Sequence, residues 1–213
     1  MKVIVRYVLM PIAMIFVLVG LYLFAGRSIE ALLLSQIYMA AEQGVPHVTY
    51  ESLDTELQFD IPEKVKLSEI KFPEVGEKYA YLRCDRLQIN APVYYGDDEE
   101  ILLKGVGQYS DSTLPGFSGT TLLCAHDTTW FQGLESVEKK DVFLFETDYG
   151  VYEYQVQRIE IVDQSDESAC ELEKTQDQLV LYTCYPFGNL IEVRQERFFV
   201  YCNLISGPEI WGD

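Results

Sequence analysis

The sequence predicts a mainly β fold, a closed or nearly closed β-barrel with short helices, preceded by one N-terminal transmembrane helix. The barrel is indicated by many short apolar segments of strand length from residue 78 onward, separated by turn residues, with few helical patterns between them. The transmembrane helix is indicated by 20 consecutive uncharged residues, 7–26. At about 1.5 Å per residue such a helix is about 30 Å long, which matches the hydrocarbon core of a bilayer.

We interpret residues 1–26 as a cytoplasmic tip and a membrane anchor. Lys2 and Arg6 precede the uncharged run and the chain beyond Arg27 is acidic, so the positive-inside rule places the N-terminus in the cytoplasm. A cleaved signal peptide is the alternative, but the run is longer than a usual signal core and no small-residue cleavage site follows it. The expected localisation is therefore the cell membrane, single-pass, with the later domain extracellular.

The rest of the chain divides into two predicted parts. Residues 27–77 should form a helix over 28–44, where apolar residues recur at helical spacing, and then a proline-containing stalk. Residues 78–213 should form the barrel, with a short helix over 97–105 because acidic residues begin that segment and a glycine ends it. A change of alternation phase within 151–162 predicts a β-bulge. The strand candidates are 79–84, 89–95, 119–125, 142–146, 151–162, 178–184 and 197–205.

Composition excludes several classes of function. The chain has 16 Lys and Arg against 34 Asp and Glu, a net charge of -18, which argues against nucleic acid as a partner because phosphate contacts need clustered cations. It has only two histidines, His47 and His126, so a His-rich metal site is excluded, and no glycine-rich phosphate loop occurs. Five cysteines are too few for a disulfide framework, and the odd number leaves at least one thiol without an intramolecular partner.

Three residues are candidates for a nucleophilic site. His126 and Cys184 each end an apolar run of β type, and Arg197 begins another, so all three should lie at strand ends. A free thiol has a pKa of about 8.5, an imidazole can accept its proton, and a guanidinium favours a developing oxyanion. Such a site attacks acyl carbons and forms a thioester. Spacing alone leaves open that Cys184 is an inert buried thiol, and we assign no chemistry to Cys84, Cys124, Cys170, Cys202 or His47.

The segments that carry these residues resemble those of sortases, the membrane-anchored cysteine transpeptidases of Gram-positive bacteria. The matching segments are Val-Leu-Tyr-Thr-Cys at 180–184, Ala-His at 125–126 and Arg-Phe-Phe-Val at 197–200, and the resemblance extends over about 78–205. His-Asp-Thr-Thr-Trp-Phe at 126–131 and Thr-Cys-Tyr-Pro-Phe at 183–187 are most similar to class D. The resemblance implies an eight-stranded β-barrel, with Cys184 as nucleophile, His126 as general acid and base, and Arg197 stabilising the oxyanion or the bound peptide.

Two departures from the family pattern affect this assignment. Val180 stands where the family has a threonine, which is a mild change in a strand. The segment between Cys184 and Arg197 is longer than expected, which leaves Arg194 as a rival for the catalytic arginine. We prefer Arg197 because it opens the apolar strand, whereas Arg194 lies in a charged segment that we expect to be a solvated loop.

The function implied by the resemblance is a membrane-anchored sortase. It would cleave a Leu-Pro-x-Thr-Gly-like sorting signal through a thioacyl intermediate on Cys184 and transfer the protein to a cell-wall amine. The expected partners are secreted proteins with a C-terminal sorting signal, a peptidoglycan precursor amine, and the membrane through the N-terminal helix. No cofactor is expected; Ca²⁺ binds some relatives, but the acidic loop 163–178 is more simply a solvated wall of the peptide groove.

Two alternatives remain open from the sequence. One is a pilin-polymerising sortase with a pilin lysine as acceptor, although 45–76 lacks an Asp-Pro-aromatic lid element. The other is a non-catalytic barrel that serves as a binding module.

Overall fold

The computed structural model describes residues 9–43, 63–188 and 194–212. A long helix, α1 (Met10–Gln43), comes first, and a second, short helix, α2 (Glu99–Lys104), lies between the third and fourth strands. Asp98 caps α2, because its carboxylate accepts a hydrogen bond of 2.9 Å from the Ile101 amide. The strands are β1 (Lys64–Lys66), β2 (Lys78–Cys84), β3 (Ile89–Tyr95), β4 (Val106–Gln108), β5 (Thr120–Cys124), β6 (Val142–Thr147), β7 (Gly150–Asp163), β8 (Gln178–Tyr185), β9 (Glu196–Ser206) and β10 (Glu209–Trp211).

Strands β2 to β9 form a closed eight-stranded barrel in the order β2-β3-β4-β5-β8-β9-β7-β6. The pairs β3–β4 and β5–β8 are parallel and the other pairs of the barrel are antiparallel, while β1 and β10 form a separate small parallel sheet. Closure pairs both edges of every barrel strand. The predicted fold is therefore confirmed for the barrel, and every segment predicted as a strand is one, with ends displaced by at most one residue.

The principal hydrophobic core fills the barrel interior. Alternate residues of each strand point inward, as Leu179 and Leu181 do in β8 and Val200 does in β9. The predicted bulge lies in β7, where the register against β9 shifts between Val156 and Arg158. This shift allows the interior-facing alternation to change phase within a single strand.

A second apolar cluster covers the outer surface of β5, β8 and β9. Its strand members alternate with the interior-facing residues and therefore point away from the barrel axis. The loop between β7 and β8 packs onto it, because Ala169 is buried there and its carbonyl accepts a 2.9 Å hydrogen bond from the Tyr201 hydroxyl. We call this set the outer cluster; its buried members are Leu122, Ala169, Val180, Phe199 and Tyr201, and its partly buried members are Tyr109, Val162, Cys170 and Tyr182.

The N-terminal helix differs from the predicted membrane anchor. It continues without interruption from Met10 to Gln43, so the helix expected over 28–44 is its second half. Arg27 and Glu30 lie within this helix, so charged residues follow the uncharged residues 10–26 without a break. No helix within 9–43, 63–188 or 194–212 is long and apolar enough to span a membrane. The predicted single-pass anchor and the predicted cell-membrane localisation are therefore wrong.

Part of the predicted stalk lies outside the described residues, namely 44–62 with His47. The division between 27–77 and 78–213 stays a prediction, with β2 beginning at Lys78.

Candidate active site

Cys184 and Arg197 are direct neighbours on adjacent strands. They form a register pair between the antiparallel strands β8 and β9. Residues directly opposite each other in an antiparallel pair project to the same face, with Cβ atoms about 4.5–5.5 Å apart. The side chain of Arg197 therefore starts beside the Cys184 thiol.

His126 lies on the other side of Cys184. In the parallel pair of β5 and β8, Cys124 pairs with Tyr182, and continuing the register by two residues places His126 level with Cys184. The two segments stay together beyond the end of β5, because the Thr183 hydroxyl donates a 2.7 Å hydrogen bond to the carbonyl of the residue before His126. The segments that carry the three predicted residues thus lie side by side, with Cys184 on β8, Arg197 opposite it on β9, and His126 two residues beyond the end of β5; we call this arrangement the row.

This row lies on the same outer face as the outer cluster. Cys184 follows Val180 and Tyr182 at intervals of two residues, and side chains at that spacing share a face. The ring of Tyr182 stacks on Phe199 with centroids 5.2 Å apart, and Phe199 stacks on Tyr201 at 5.9 Å. A nucleophile, a histidine and an arginine therefore stand at the end of an apolar, largely aromatic surface.

The surroundings of His126 favour its uncharged form. Burial is the largest effect and lowers the pKa of the imidazole, the neighbouring Asp127 carboxylate opposes this, and Arg194 lowers the pKa further. An uncharged imidazole can accept a proton from a thiol or an amine. His126 also lines a cleft of about 560 Å³ between the barrel, α1 and α2, whose other lining residues are Glu30, Ala31, Leu34, Glu99, Glu100 and Leu103.

The other four cysteines lie in environments that oppose ionisation. Cys84, Cys124 and Cys202 are buried, and burial raises the pKa of each thiol, that of Cys124 to about 12. Cys170 is half-buried in the outer cluster, and burial raises the pKa of its thiol as well. Cys184 is half-buried and is the register neighbour of Arg197.

The guanidinium of Arg197 is held by neutral acceptors at the rim of the barrel. Its Nη1 donates to the Arg194 carbonyl at 3.0 Å and to the Glu196 carbonyl at 2.9 Å, and its Nη2 donates to Gln164 Oε1 at 3.0 Å. These acceptors do not neutralise its charge. The guanidinium therefore keeps its charge near the start of β9, where Arg197 is the register neighbour of Cys184.

Arg194 is not the solvated loop cation that the sequence suggests. Its Nη1 lies 2.5 Å from Oδ1 of Asp127, and its side chain is only 16% exposed. The Asp127 carboxylate is fully buried, and its Oδ2 accepts a 2.8 Å hydrogen bond from the Gly188 amide. A buried carboxylate without a partner would cost several kcal/mol, so this ion pair accounts for its burial. The sequence analysis missed Asp127, whose one signal is that it directly follows His126.

A metal site is not evident in the described parts of the chain, where no group of three or more His, Cys, Asp or Glu side chains is arranged to hold an ion.

The closed eight-stranded barrel, with Cys184 and Arg197 opposite each other at the strand ends, has the architecture of a sortase domain. The family model described as Sortase domain matches residues 82–205, more than half of the chain, and the chain therefore belongs to the sortase family. Members of this family are cysteine transpeptidases.

The relatives support the same assignment. Sortase D of Bacillus subtilis (strain 168) is 33% identical over 129 residues, which are 61% of this chain and 65% of that protein. The predicted similarity to class D sortases agrees with this match. The X-ray structure of sortase C from Clostridium perfringens SM101 is 27% identical, with a TM-score of 0.56 over 63% of this chain and 73% of that one. The X-ray structure of Clostridium perfringens sortase C with the C-terminal cell wall sorting motif is 26% identical, with a TM-score of 0.56 over 62% of this chain and 73% of that one.

Proposed function

We propose that this chain is a transpeptidase that cleaves a Leu-Pro-x-Thr-Gly-like sorting signal after the threonine and transfers the acyl part to an amine. The observation that carries the proposal is the register pair of Cys184 and Arg197, together with the hydrogen bond that holds the segment of His126 against β8. A relative of 26% identity has been solved with a C-terminal cell wall sorting motif, which supports this class of substrate. The acceptor proposed is an amine of a peptidoglycan precursor.

In the first half-reaction Cys184 attacks the threonine carbonyl carbon. The uncharged imidazole of His126 accepts the thiol proton as the sulfur–carbon bond forms, which places negative charge on the carbonyl oxygen. Arg197, the register neighbour of Cys184, stabilises this oxyanion. The carbon–nitrogen bond then breaks, and the His126 imidazolium gives its proton to the leaving amine.

In the second half-reaction the amine acceptor attacks the thioester. His126, uncharged again, accepts a proton from the attacking nitrogen, and the new amide forms as the sulfur leaves. The proton returns to the sulfur, so the free thiol of Cys184 is restored. The low pKa that burial gives His126 suits both proton-accepting steps, because its base form predominates at neutral pH.

The proposed site for the apolar residues of the signal peptide is the partly exposed end of the outer cluster nearest Cys184, at Tyr182. The Tyr182 ring is supported by Phe199, with ring centroids 5.2 Å apart, whereas Phe199 and Tyr201 are themselves buried. The loop that contains Ala169 forms one wall of this surface. Peptide sites of this kind are mainly apolar with few polar anchors.

The test uses the full chain, a fluorogenic Leu-Pro-x-Thr-Gly peptide and triglycine as amine acceptor. The wild type should release the peptide's C-terminal part and form the amide product, and Cys184→Ala and His126→Ala should form neither. Arg197→Ala should reduce kcat by about 100–1000-fold, the usual loss when one oxyanion donor is removed.

Two variants serve as matched controls. Cys84→Ala removes a buried thiol at the end of β2, and Arg86→Gln removes an arginine whose ion pair with Asp141 lies outside the row. Both should keep kcat within a few-fold of wild type. Cleavage that persists in Cys184→Ala would refute the assignment of the nucleophile.

A further inference from the structure

The buried ion pair beside His126 connects three segments of the chain. Asp127 immediately follows His126 on the segment after β5. Its Oδ2 accepts a hydrogen bond from the backbone amide of Gly188, which lies on the segment after Cys184. Its other oxygen binds Arg194, which lies just before β9. The first of these segments contains His126, the second follows Cys184, and the third precedes Arg197.

Arg194 takes part in a second contact within the same site. Its carbonyl oxygen accepts a 3.0 Å hydrogen bond from Nη1 of Arg197, and its own Nη1 lies 3.5 Å from the Pro186 carbonyl. The side chain of Arg194 thus fixes its position against Asp127, and its backbone in turn holds the guanidinium of Arg197. A displacement of Arg194 would therefore affect both His126, through Asp127, and Arg197.

We propose that Asp127 and Arg194 are positioning residues, whose ion pair holds His126, Cys184 and Arg197 in register for acyl transfer. The inference rests on the proposed function, and neither residue is assigned a contact with the reacting atoms. The pair joins the strand ends at the place where β5 has already ended, so the β-ladder no longer holds His126 there. Effective acyl transfer requires that the catalytic groups be placed to within a fraction of an ångström. The ion pair should therefore affect kcat.

The pair also balances charge around the imidazole. Asp127 raises the pKa of His126 and Arg194 lowers it, so the loss of one partner leaves the effect of the other uncompensated. Glu99 on α2 raises the pKa of His126 as well. The titratable groups that share the surroundings of His126 on the other elements are Glu30 of α1, Glu100 of α2 and Cys184 of β8.

The first measurement follows His126 directly and needs no substrate. The chain has only two histidines, so a ¹H–¹³C NMR titration of the full chain resolves them, and His47→Gln assigns the signals. Asp127→Asn should lower the pKa of His126 relative to wild type, and Arg194→Gln should raise it. If the ion pair had a purely structural role, the two variants would shift the pKa of His126 in the same direction, or neither variant would shift it.

The second measurement is the kinetics of sorting-signal cleavage with the same variants. Asp127→Asn and Arg194→Gln should each reduce kcat by about 10–100-fold with little change in KM, because the groups are displaced while the peptide surface is intact. Arg194→Lys is a conservative substitution that keeps the positive charge. It should recover part of the kcat that Arg194→Gln loses, and it should keep the wild-type pKa of His126. Arg86→Gln, which breaks a different ion pair, should change neither quantity.

The outcomes separate the two proposals. The wild type could be active while Asp127→Asn and Arg194→Gln keep its kcat, or while both variants shift the pKa of His126 in the same direction. Either result would overturn the positioning role alone. A wild type that cleaves no sorting-signal peptide would overturn the proposed function and this inference with it. Opposite shifts of the His126 pKa together with reduced kcat would support both.

Discussion

Asp177 lies just before β8, at the end of that strand opposite to Cys184, and its carboxyl group is largely buried. Its Oδ1 accepts a 2.8 Å hydrogen bond from the Tyr154 hydroxyl, while its buried Oδ2 has no hydrogen-bond partner among the described residues. Burial raises the pKa of this carboxyl from 3.8 to about 6. Ionised Asp177 is therefore unfavourable in the folded state, and Asp177→Asn should stabilise the protein at neutral pH.

The magnitude follows from the shift in pKa. The folded pKa lies above the unfolded one, so the contribution of Asp177 to stability is fully present below about pH 4 and is lost as pH rises through about 6. A rise of about two pKa units means that Asp177 destabilises the folded state by roughly 3 kcal/mol at pH 8 and by about half of that at pH 5. Asparagine keeps an acceptor for the Tyr154 hydroxyl and cannot ionise, so the variant should gain up to this amount.

The assay is urea unfolding of wild type and Asp177→Asn, monitored by circular dichroism at pH 5, 6, 7 and 8. The difference in free energy of unfolding should be largest at pH 8 and decrease steadily toward pH 5. Glu173→Gln, which neutralises an exposed carboxylate in the same loop, is the matched control and should show no such trend. A difference that does not change with pH, or an Asp177→Asn protein less stable than wild type at pH 8, would refute the reasoning.

Three further predictions concern stability. Asp98→Ala removes the side-chain cap of α2 and should cost about 1 kcal/mol in urea unfolding, and an unchanged midpoint would contradict this. Gly116→Ala should lower Tm by several degrees, because Gly116 has φ +84 and an added Cβ would lie 2.4 Å from the Tyr152 ring; a Tm equal to wild type would show that the loop adapts. Tyr201→Phe removes the hydrogen bond to the Ala169 carbonyl and should increase protease cleavage in 163–177, whereas an unaltered cleavage rate would show that packing alone holds the loop.

The parts of the fold that could be predicted are those with a local pattern. Apolar segments of strand length between turn residues located the longer barrel strands, and the phase change within β7 located its bulge. The strand β4 (Val106–Gln108) has only three residues, two of them Gly and Gln, and so forms no apolar run by which it could be recognised. The parallel pairing of β5 with β8 joins segments far apart in the chain, and no local pattern specifies such a partner.

The membrane prediction failed for a related reason. A charge-free run gives the composition of a segment, but it does not show where the helix begins and ends. The helix continues without interruption past Arg27 and Glu30 to Gln43, so the segment expected to form a separate helix is part of it. The segment after Gly26 has its own helical pattern, which extends the helix where an end was expected.

The candidate site was predictable where chemistry coincides with strand ends. Cys184, His126 and Arg197 each mark the boundary of an apolar run, and the structure pairs Cys184 with Arg197 and places the segment that carries His126 next to β8. Asp127 and Arg194 carry no such mark, because a buried carboxylate and a solvated one look alike in sequence. Their pairing over 67 residues depends on the closure of the barrel, which only the structure reveals.

The most direct test of the central claim is intact-mass and peptide-mapping spectrometry of the full chain after incubation with a Leu-Pro-x-Thr-Gly peptide and no amine. The row of His126, Cys184 and Arg197 predicts a mass increase equal to the acyl part of the peptide, located on Cys184, removed by added amine and absent in Cys184→Ala. An adduct on any other cysteine, or peptide cleavage by Cys184→Ala at the wild-type rate, would contradict it.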